Sequence, residues 1–290
     1  MEKGCSLLGL RNLYRVFNES RASARKHATL AVVGNYPEAA ELAALLGADR
    51  AAAVGVEILL TVAGVREDGG VEISLSGEAL EDAEKTLFLS AVTEEAVLRE
   101  LAPRIAGSLE EDYLISFGRG YPIFRAAACE EIIRKNSRQN AVIGALPIPG
   151  ADMPAITANQ GRMVLGIAAV YGEEITLERA RELLGVLAAG FGFRTLARQL
   201  SKLVPVGGWA AAGVVGYTGT LAMGRAAILY FERGKKEPGV SERSEIMHWV
   251  REEAEAFIAR LQERRTDERP KAMGQAREEA KTFLKRIRRR

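Results

Sequence analysis

The chain is organised around two stretches, QNAVIGALPIPGADMPAITANQGRMVLGIAAVYGEE (residues 139–174) and LVPVGGWAAAGVVGYTGTLAMGRAAILYF (residues 203–231). Leu203–Gly224 carries no charged residue, and Gln139–Gly161 carries one, Asp152. Both runs reach the roughly 20 residues that a bilayer span needs. Both are also rich in Gly, Ala and Pro, and are therefore only weakly hydrophobic. The pattern predicts closely packed helices, and it leaves open whether they lie in a bilayer or in water.

Small residues occur at every fourth position of the second stretch. They are Gly208, Ala212, Gly216, Thr220 and Gly224. Residues four apart share one face of a helix, and a face of small residues lets another helix backbone come close. We therefore predict that Gly216 lies at a close helix–helix contact and that Gly213 points away from it.

Several polar residues border the apolar helices and are candidates for burial. They are Asp152, Asn159, Gln160, Arg162 and Arg194. Buried polar groups need hydrogen-bond partners, so we expect some of these side chains to pair inside a helical bundle. The alternative is a pore or a ligand site, because ionisable groups inside membrane helices are usually functional.

Three segments, ALPIPGADMPAITANQGRMVLGIAAVYGEEI, GFGFRTLARQL and VGYTGTLAMGRAA, resemble the YcjF-type domain of unknown function (domain of unknown function 697). The resemblance spans about residues 119–233. Its marks are the Pro-rich turn before Asp152, the Asn159–Gln160 pair, the Tyr171–Gly172 helix end and the Gly-Phe-Arg of residues 192–194. It implies a helical module that often follows Era-like GTPase domains in bacteria, with some members in the inner membrane. It implies no reaction.

The alternation of patterns along the chain predicts an α/β plus all-α protein in four parts. Residues 1–27 are predicted to form an N-terminal amphipathic helix, and residues 28–117 a small α/β sheet domain that is at least partly parallel. Residues 118–234 form a helical bundle or helical-hairpin module, and residues 235–290 a charged amphipathic helical tail. In the sheet domain, strands are expected at Thr29–Val33, Val56–Val62, Val71–Leu75 and Thr86–Ala91, and helices at Pro37–Leu46, Glu78–Glu84 and after Thr93.

The strand, glycine and helix around Gly34 invite comparison with the phosphate-loop pattern GxxxxGK[ST]. Ala39, Ala40 and Glu41 stand where that pattern needs Gly, Lys and Ser or Thr, and the motifs DxxG and NKxD are absent from the chain. Ser90-Ala91 resembles the base-contacting motif of GTPases, but the match is only two residues. The position of this domain before the helical module favours a degenerate G-like domain without nucleotide machinery. An unrelated small α/β domain is the alternative.

The net charge of +2 is the sum of two oppositely charged parts of the chain. Residues 28–115 hold 5 basic and 17 acidic residues, a formal charge of −12, and the remaining residues hold 35 basic and 21 acidic, a charge of +14. Such asymmetry predicts either that the two parts dock on each other or that each has its own charged partner. Anionic lipid would attract the basic parts.

The sequence predicts no catalytic, cofactor-binding or metal-binding residue, and no cofactor. Cys5 and Cys129 have no metal or redox spacing. We expect a non-enzymatic, membrane-associated adaptor or regulator on the cytoplasmic side of the membrane, peripheral or integral. The expected partners are a GTPase or another protein, an anionic membrane surface and further copies of the chain, with nucleic acid disfavoured. The alternatives are a GTPase-like nucleotide-binding protein with an altered loop, an oligomeric channel or transporter component, and a cytoplasmic location.

Overall fold

The computed structural model describes residues 26–49, 56–81, 84–145, 152–174, 209–235, 239, 241–242 and 244–260. An α/β unit is followed by a helical module, as the α/β plus all-α class predicts. Nearly all of the expected N-terminal helix lies outside the described residues, as do residues 175–208 of the expected helical module and the tail beyond residue 260.

The α/β unit is built on a four-stranded mixed sheet. Its elements are β1 (Leu30–Val33), α1 (Pro37–Leu46), β2 (Ile58–Val65), β3 (Val71–Ser76), β4 (Glu84–Leu89), α2 (Glu94–Ala96), a π-helical turn (Val97–Leu101) and α3 (Ala102–Ala106). The strand order is β1-β2-β3-β4, with β1 parallel to β2 and the other neighbours antiparallel. Doubly wound nucleotide-binding sheets place the first strand centrally, at a switch point. β1 stands first in this order, and on its other side Ala31 forms a parallel bridge with Asp49. The degenerate G-like interpretation remains a prediction.

Local chemistry explains where α1 begins and ends. Pro37 opens the helix, where its missing N–H is not needed. Gly47 closes it in the left-handed region, with φ of 65° and its N–H bonded to the last turn. The helix buries Leu42 and Leu46 against the face of the sheet that carries Leu60 and other alternating apolar residues.

The helix predicted at Glu78–Glu84 is wrong. Residues 77–80 form a turn, and β4 begins at Glu84. The Ala79 N–H donates to the Glu57 carbonyl at 3.1 Å, and the Ala79 carbonyl accepts from the Glu110 N–H at 2.9 Å. Hydrogen bonds to distant segments therefore replace the local bonds of a helix here, which sequence periodicity does not reveal.

The helical part of the chain has five described helices and a 3₁₀ turn. Its elements are α4 (Glu111–Gly120), a 3₁₀ turn (Pro122–Phe124), α5 (Arg125–Ala145), α6 (Asp152–Val170), α7 (Trp209–Glu232) and α8 (residues 244–260). The α4 helix was not predicted, and the expected domain boundary at residues 117/118 falls inside it. Two acids in its first turn, Glu111 and Asp112, suit the positive end of the helix dipole. Within the module α5 is central and packs against α4, α6 and α7.

The acidic α/β unit and the helical module are in contact, which is one of the two outcomes that the division of charge predicts. The Leu30 N–H of β1 donates to the Tyr121 hydroxyl at 2.7 Å. On α5, the Lys135 ammonium donates to the Leu109 carbonyl at 2.8 Å and forms an ion pair with Glu81. Buried apolar residues form one continuous cluster across the two units.

Candidate functional site

The α5 and α7 helices pack with their backbones almost in contact. A Cβ atom added to Gly144 of α5 would lie 2.7 Å from the Ala212 carbonyl oxygen. On α7, a Cβ atom at Gly216 would lie 2.6 Å from the Asn140 carbonyl oxygen, and one at Gly224 would collide with the Ile133 side chain. Side chains larger than hydrogen are therefore excluded from these positions without movement of α5. Gly208, the first member of the predicted row, lies outside the described residues.

The expectation that Gly213 points away from the contact between α5 and α7 is wrong. A Cβ atom on Gly213 would lie 2.9 Å from the Ala141 carbonyl oxygen, whereas one on Gly219 would meet nothing within 4 Å. At about 100° per residue, both positions lie about 60° from Gly216, on opposite sides. The position of α5, which the sequence of α7 does not contain, decides which of the two is covered.

Amide and hydroxyl groups join α5, α6 and α7 in the interior of the module. The Asn140 amide donates to the Thr220 hydroxyl at 2.8 Å, and the Asn159 amide donates to Asn140 Oδ1 at 2.9 Å. Asn159 also donates to the Asn136 carbonyl, and Gln160 donates to the Thr220 hydroxyl. Asn136, Asn140 and Thr220 are each at most 1% exposed. These bonds stabilise the arrangement of the three helices, since buried polar groups are expensive to leave unpaired.

Arg162 connects this network to the surface. Its Nη2 atom donates to Gln139 Oε1 at 2.9 Å and to Asn159 Oδ1 at 3.1 Å, and lies 3.3 Å from Glu111 Oε1. Asp152 is the first residue of α6. The Asp152 side chain and Arg194 lie outside the description.

Sequence reasoning missed Asn136 and Asn140 and assigned Thr220 only a packing role. The available signal was the spacing of the two asparagines, which lie four residues apart on α5 and so share one helix face.

At the end of α5 opposite its contact with the α/β unit, three described helix segments carry no charged residue. We call residues 139–145 of α5, 155–161 of α6 and 212–220 of α7 the charge-free end. The glycine contacts of α5 with α7 and the contact of Gly216 with Ile156 hold these segments together. Val142 is 64% exposed, and Ala145, Thr157 and Ala212 are exposed as well. This end presents an apolar surface.

Tyr217, in the α7 segment of the charge-free end, lies against α8. The Tyr217 ring stacks on Phe257 of α8, with ring centroids 4.2 Å apart. Burial raises the pKa of the Tyr217 hydroxyl, and Glu253 raises it further, whereas Arg260, Arg138 and Arg134 act to lower it. Two of these arginines are ion-paired, Arg134 with Glu131 at 2.6 Å and Arg260 with Glu253 at 4.0 Å.

A small cavity of about 130 Å³ lies beside Tyr217 and Arg134, between α5, α7 and α8. The Arg225 guanidinium is held there by Glu130 at 2.8 Å and lies 4.5 Å from the centre of the Trp249 ring. The ion pair joins α7 to α5, and the contact with Trp249 attaches α8 to α7.

The groups that suggested nucleotide chemistry have other partners. The Ser90 N–H and hydroxyl both donate to the Glu100 carboxylate at 2.8 Å, and these bonds lower the Glu100 pKa. Glu38 occupies the first turn of α1, where a phosphate would have to bind. Burial raises the pKa of the Cys129 thiol, which disfavours the reactive thiolate.

Two features are absent from the part of the chain that the structure describes. No group of three His, Cys, Asp or Glu side chains is placed to hold a metal ion. None of the described helices is long and apolar enough to cross a membrane.

Comparison with known proteins identifies the helical module. Neither a curated protein nor a solved structure matches the chain. A family model does match, over residues 122–264, which run from the 3₁₀ turn before α5 to just beyond α8. The chain therefore contains a domain of the family described as domain of unknown function (DUF697).

Proposed function

We propose that this protein is a non-enzymatic adaptor or regulator on the cytoplasmic side of a membrane, with a GTPase or another protein as its partner. One observation carries the proposal: a strongly acidic α/β unit is joined by a continuous apolar core to a helical module, and the charge-free end lies at the other end of α5 from that contact. Along α5, Ala145 lies about 15 Å beyond Lys135, the residue that contacts the acidic unit.

This arrangement suits a protein with two different attachments. An anionic lipid surface attracts basic segments and repels acidic ones. The module would therefore face the membrane, and the α/β unit, with its charge of −12, would face the cytoplasm, where a partner could reach it. The inward-facing hydrogen bonds of Asn140, Asn159 and Thr220 support a structural role for the polar core.

Cell fractionation tests the proposal. We expect the full-length chain to sediment with membranes at low salt and to be released, at least in part, by high salt or a carbonate wash, since screening weakens exposed electrostatic contacts. Crosslinking in the same cells should join lysines or acids of residues 28–115 to a second protein. A chain that stays in the soluble fraction at low salt would contradict the membrane part of the proposal, and the absence of any crosslinked partner would contradict the adaptor part.

A further inference from the structure

We propose that the cavity between α5, α7 and α8 binds a small organic ammonium ion, that is, an amine with a short apolar body. The inference goes beyond the proposed function, because it concerns a small ligand rather than a partner protein and does not depend on membrane attachment.

Side chains from three helices line this cavity. On α7 they are Tyr217, Leu221 and Arg225, which are spaced four residues apart and therefore share one helix face. Ile133 of α5 and Leu221 are at most 4% exposed and give the cavity an apolar wall. Trp249 of α8 lines it as well. A ligand in this cavity would therefore contact all three helices at once.

The volume of the cavity limits the ligand to a short body. An apolar cavity of about 150 Å³ is large enough for benzene, and this cavity measures about 130 Å³. A body of about six non-hydrogen atoms therefore matches it. Glu253, which also lines the cavity, keeps 39% of its side chain exposed, so the polar group of a ligand can reach it from the solvent.

Both guanidinium groups that line the cavity already have carboxylate partners. Arg225 pairs with Glu130 at 2.8 Å. Arg134 pairs at 2.6 Å with Glu131, whose side chain is only 6% exposed. Because partly buried ion pairs are screened less than exposed ones, an anionic ligand would have to compete with these two carboxylates for the arginines.

Glu253 is the lining carboxylate with the weakest partner. Among the described residues its ion pair is with Arg260 at 4.0 Å, the limit for an ion pair, and 57% of the Arg260 side chain is exposed. The helix itself is acidic, since residues 244–260 hold four acidic and two basic residues. An ammonium group at Glu253 would form a charge-assisted hydrogen bond. The charges around the cavity therefore favour a cation.

The aromatic side chains of the cavity suit the same class of ligand. The faces of aromatic rings attract cations, indole most strongly, and proteins use such rings to recognise organic ammonium ions. The Arg225 guanidinium lies 4.5 Å from the centre of the Trp249 ring, so this ring already accepts a cation. Tyr217 supplies a second ring on the same cavity.

Three probes of similar size and different charge test the assignment on the full-length protein. Benzylamine is positive at neutral pH, benzyl alcohol is neutral and benzoate is negative. The indole N–H signal of Trp249 in NMR spectra reports binding. The reference signal is that of Trp209, which lies twelve residues before Leu221 on α7, about 18 Å along the helix. Benzylamine should shift the Trp249 signal, with a dissociation constant about tenfold or more below those of the other two probes.

Glu253→Gln keeps the size of the side chain and removes its charge. It should weaken the binding of benzylamine about tenfold and leave that of benzyl alcohol unchanged. Glu252→Gln is the matched control, because Glu252 is 64% exposed, lies 3.5 Å from His248 and does not line the cavity. It should leave the binding of both probes unchanged. Equal urea midpoints would show that both variants remain folded.

Three results would overturn the assignment: a Trp249 signal that does not respond to benzylamine, binding of benzyl alcohol or benzoate as tight as that of benzylamine, or equal losses for Glu253→Gln and Glu252→Gln. Tighter binding of benzoate would mean that the arginines, and not Glu253, select the charge of the ligand. None of these results bears on the proposed function, because fractionation and crosslinking are measured without the amine.

Discussion

The two ends of the helical module are packed in opposite ways. Near the sheet, aromatic rings fill the space between helices: Phe117 and Phe124 lie 4.6 Å apart between ring centroids, and Tyr171 stacks on Phe231 at 5.5 Å. At the charge-free end, glycines bring α5 and α7 into backbone contact. The first end is stabilised by buried apolar area, whereas the second depends on close contact and on hydrogen bonds between side chains. Substitutions at the two ends should therefore destabilise the module for different physical reasons.

The largest effect is expected at the aromatic end. Phe124 is fully buried, so Phe124→Ala should lower the free energy of unfolding by about 3–5 kcal/mol through lost burial and a cavity. Urea denaturation followed by circular dichroism measures it. Phe88→Ala is the control, because Phe88 is 45% exposed and should cost much less. A loss for Phe124→Ala no greater than that for Phe88→Ala would show that the ring does not stabilise this end.

The next largest effect on stability is expected where the glycines of α7 contact α5. Gly216→Ala would push a methyl group against the Asn140 carbonyl, and we expect a net loss of about 2 kcal/mol, within the range for overpacking. Gly219→Ala meets nothing within 4 Å and should instead stabilise the protein by up to about 1 kcal/mol, since Ala is the better helix former. Stability changes of opposite sign for the two variants, in matched thermal melts or urea titrations, would support the close contact of Gly216 with α5. Equal gains in stability for both variants would refute it.

Local signals in the sequence predicted much of this architecture. Pro37 and Gly47 mark the ends of α1 because proline and glycine have strong positional preferences in the backbone. The row of small residues through Gly216 predicted a close contact, because small side chains along one helix face let the backbone of another helix come close. Gly213 and Gly219 show what the sequence could not predict. They lie at equal angles on either side of Gly216 around the axis of α7, and only the position of α5 decides which of them is covered.

The polar core shows the same limit. Asn159 and Gln160 could be selected as buried candidates because they interrupt an apolar run, but their partners come from other helices. Asn140 lies 80 residues from Thr220 along the chain, and no periodicity within one helix indicates such a pairing. The helix predicted at residues 78–84 failed for a related reason, since Glu57 and Glu110 supply the partners of Ala79.

The smallest effect expected concerns the hydrogen bonds that join the three helices. Thr220→Val keeps the shape of the side chain and removes the oxygen that accepts from both Asn140 and Gln160. The Asn140 amide is then buried without this partner, and we expect a loss of about 1.5 kcal/mol in the free energy of unfolding.

Thr218→Val is a matched control two residues away. Thr218 is equally buried, but its hydroxyl donates to carbonyls of its own helix, Val214 at 2.7 Å and Val215 at 3.4 Å. Its removal leaves no side-chain donor without a partner, so the change should stay within about 0.5 kcal/mol. Equal losses for the two variants would mean that the hydroxyl of Thr220 acts only within α7. A larger loss for Thr220→Val that disappears in an Asn140→Leu background would instead place the energy in the bond between α5 and α7, because coupled partners are non-additive.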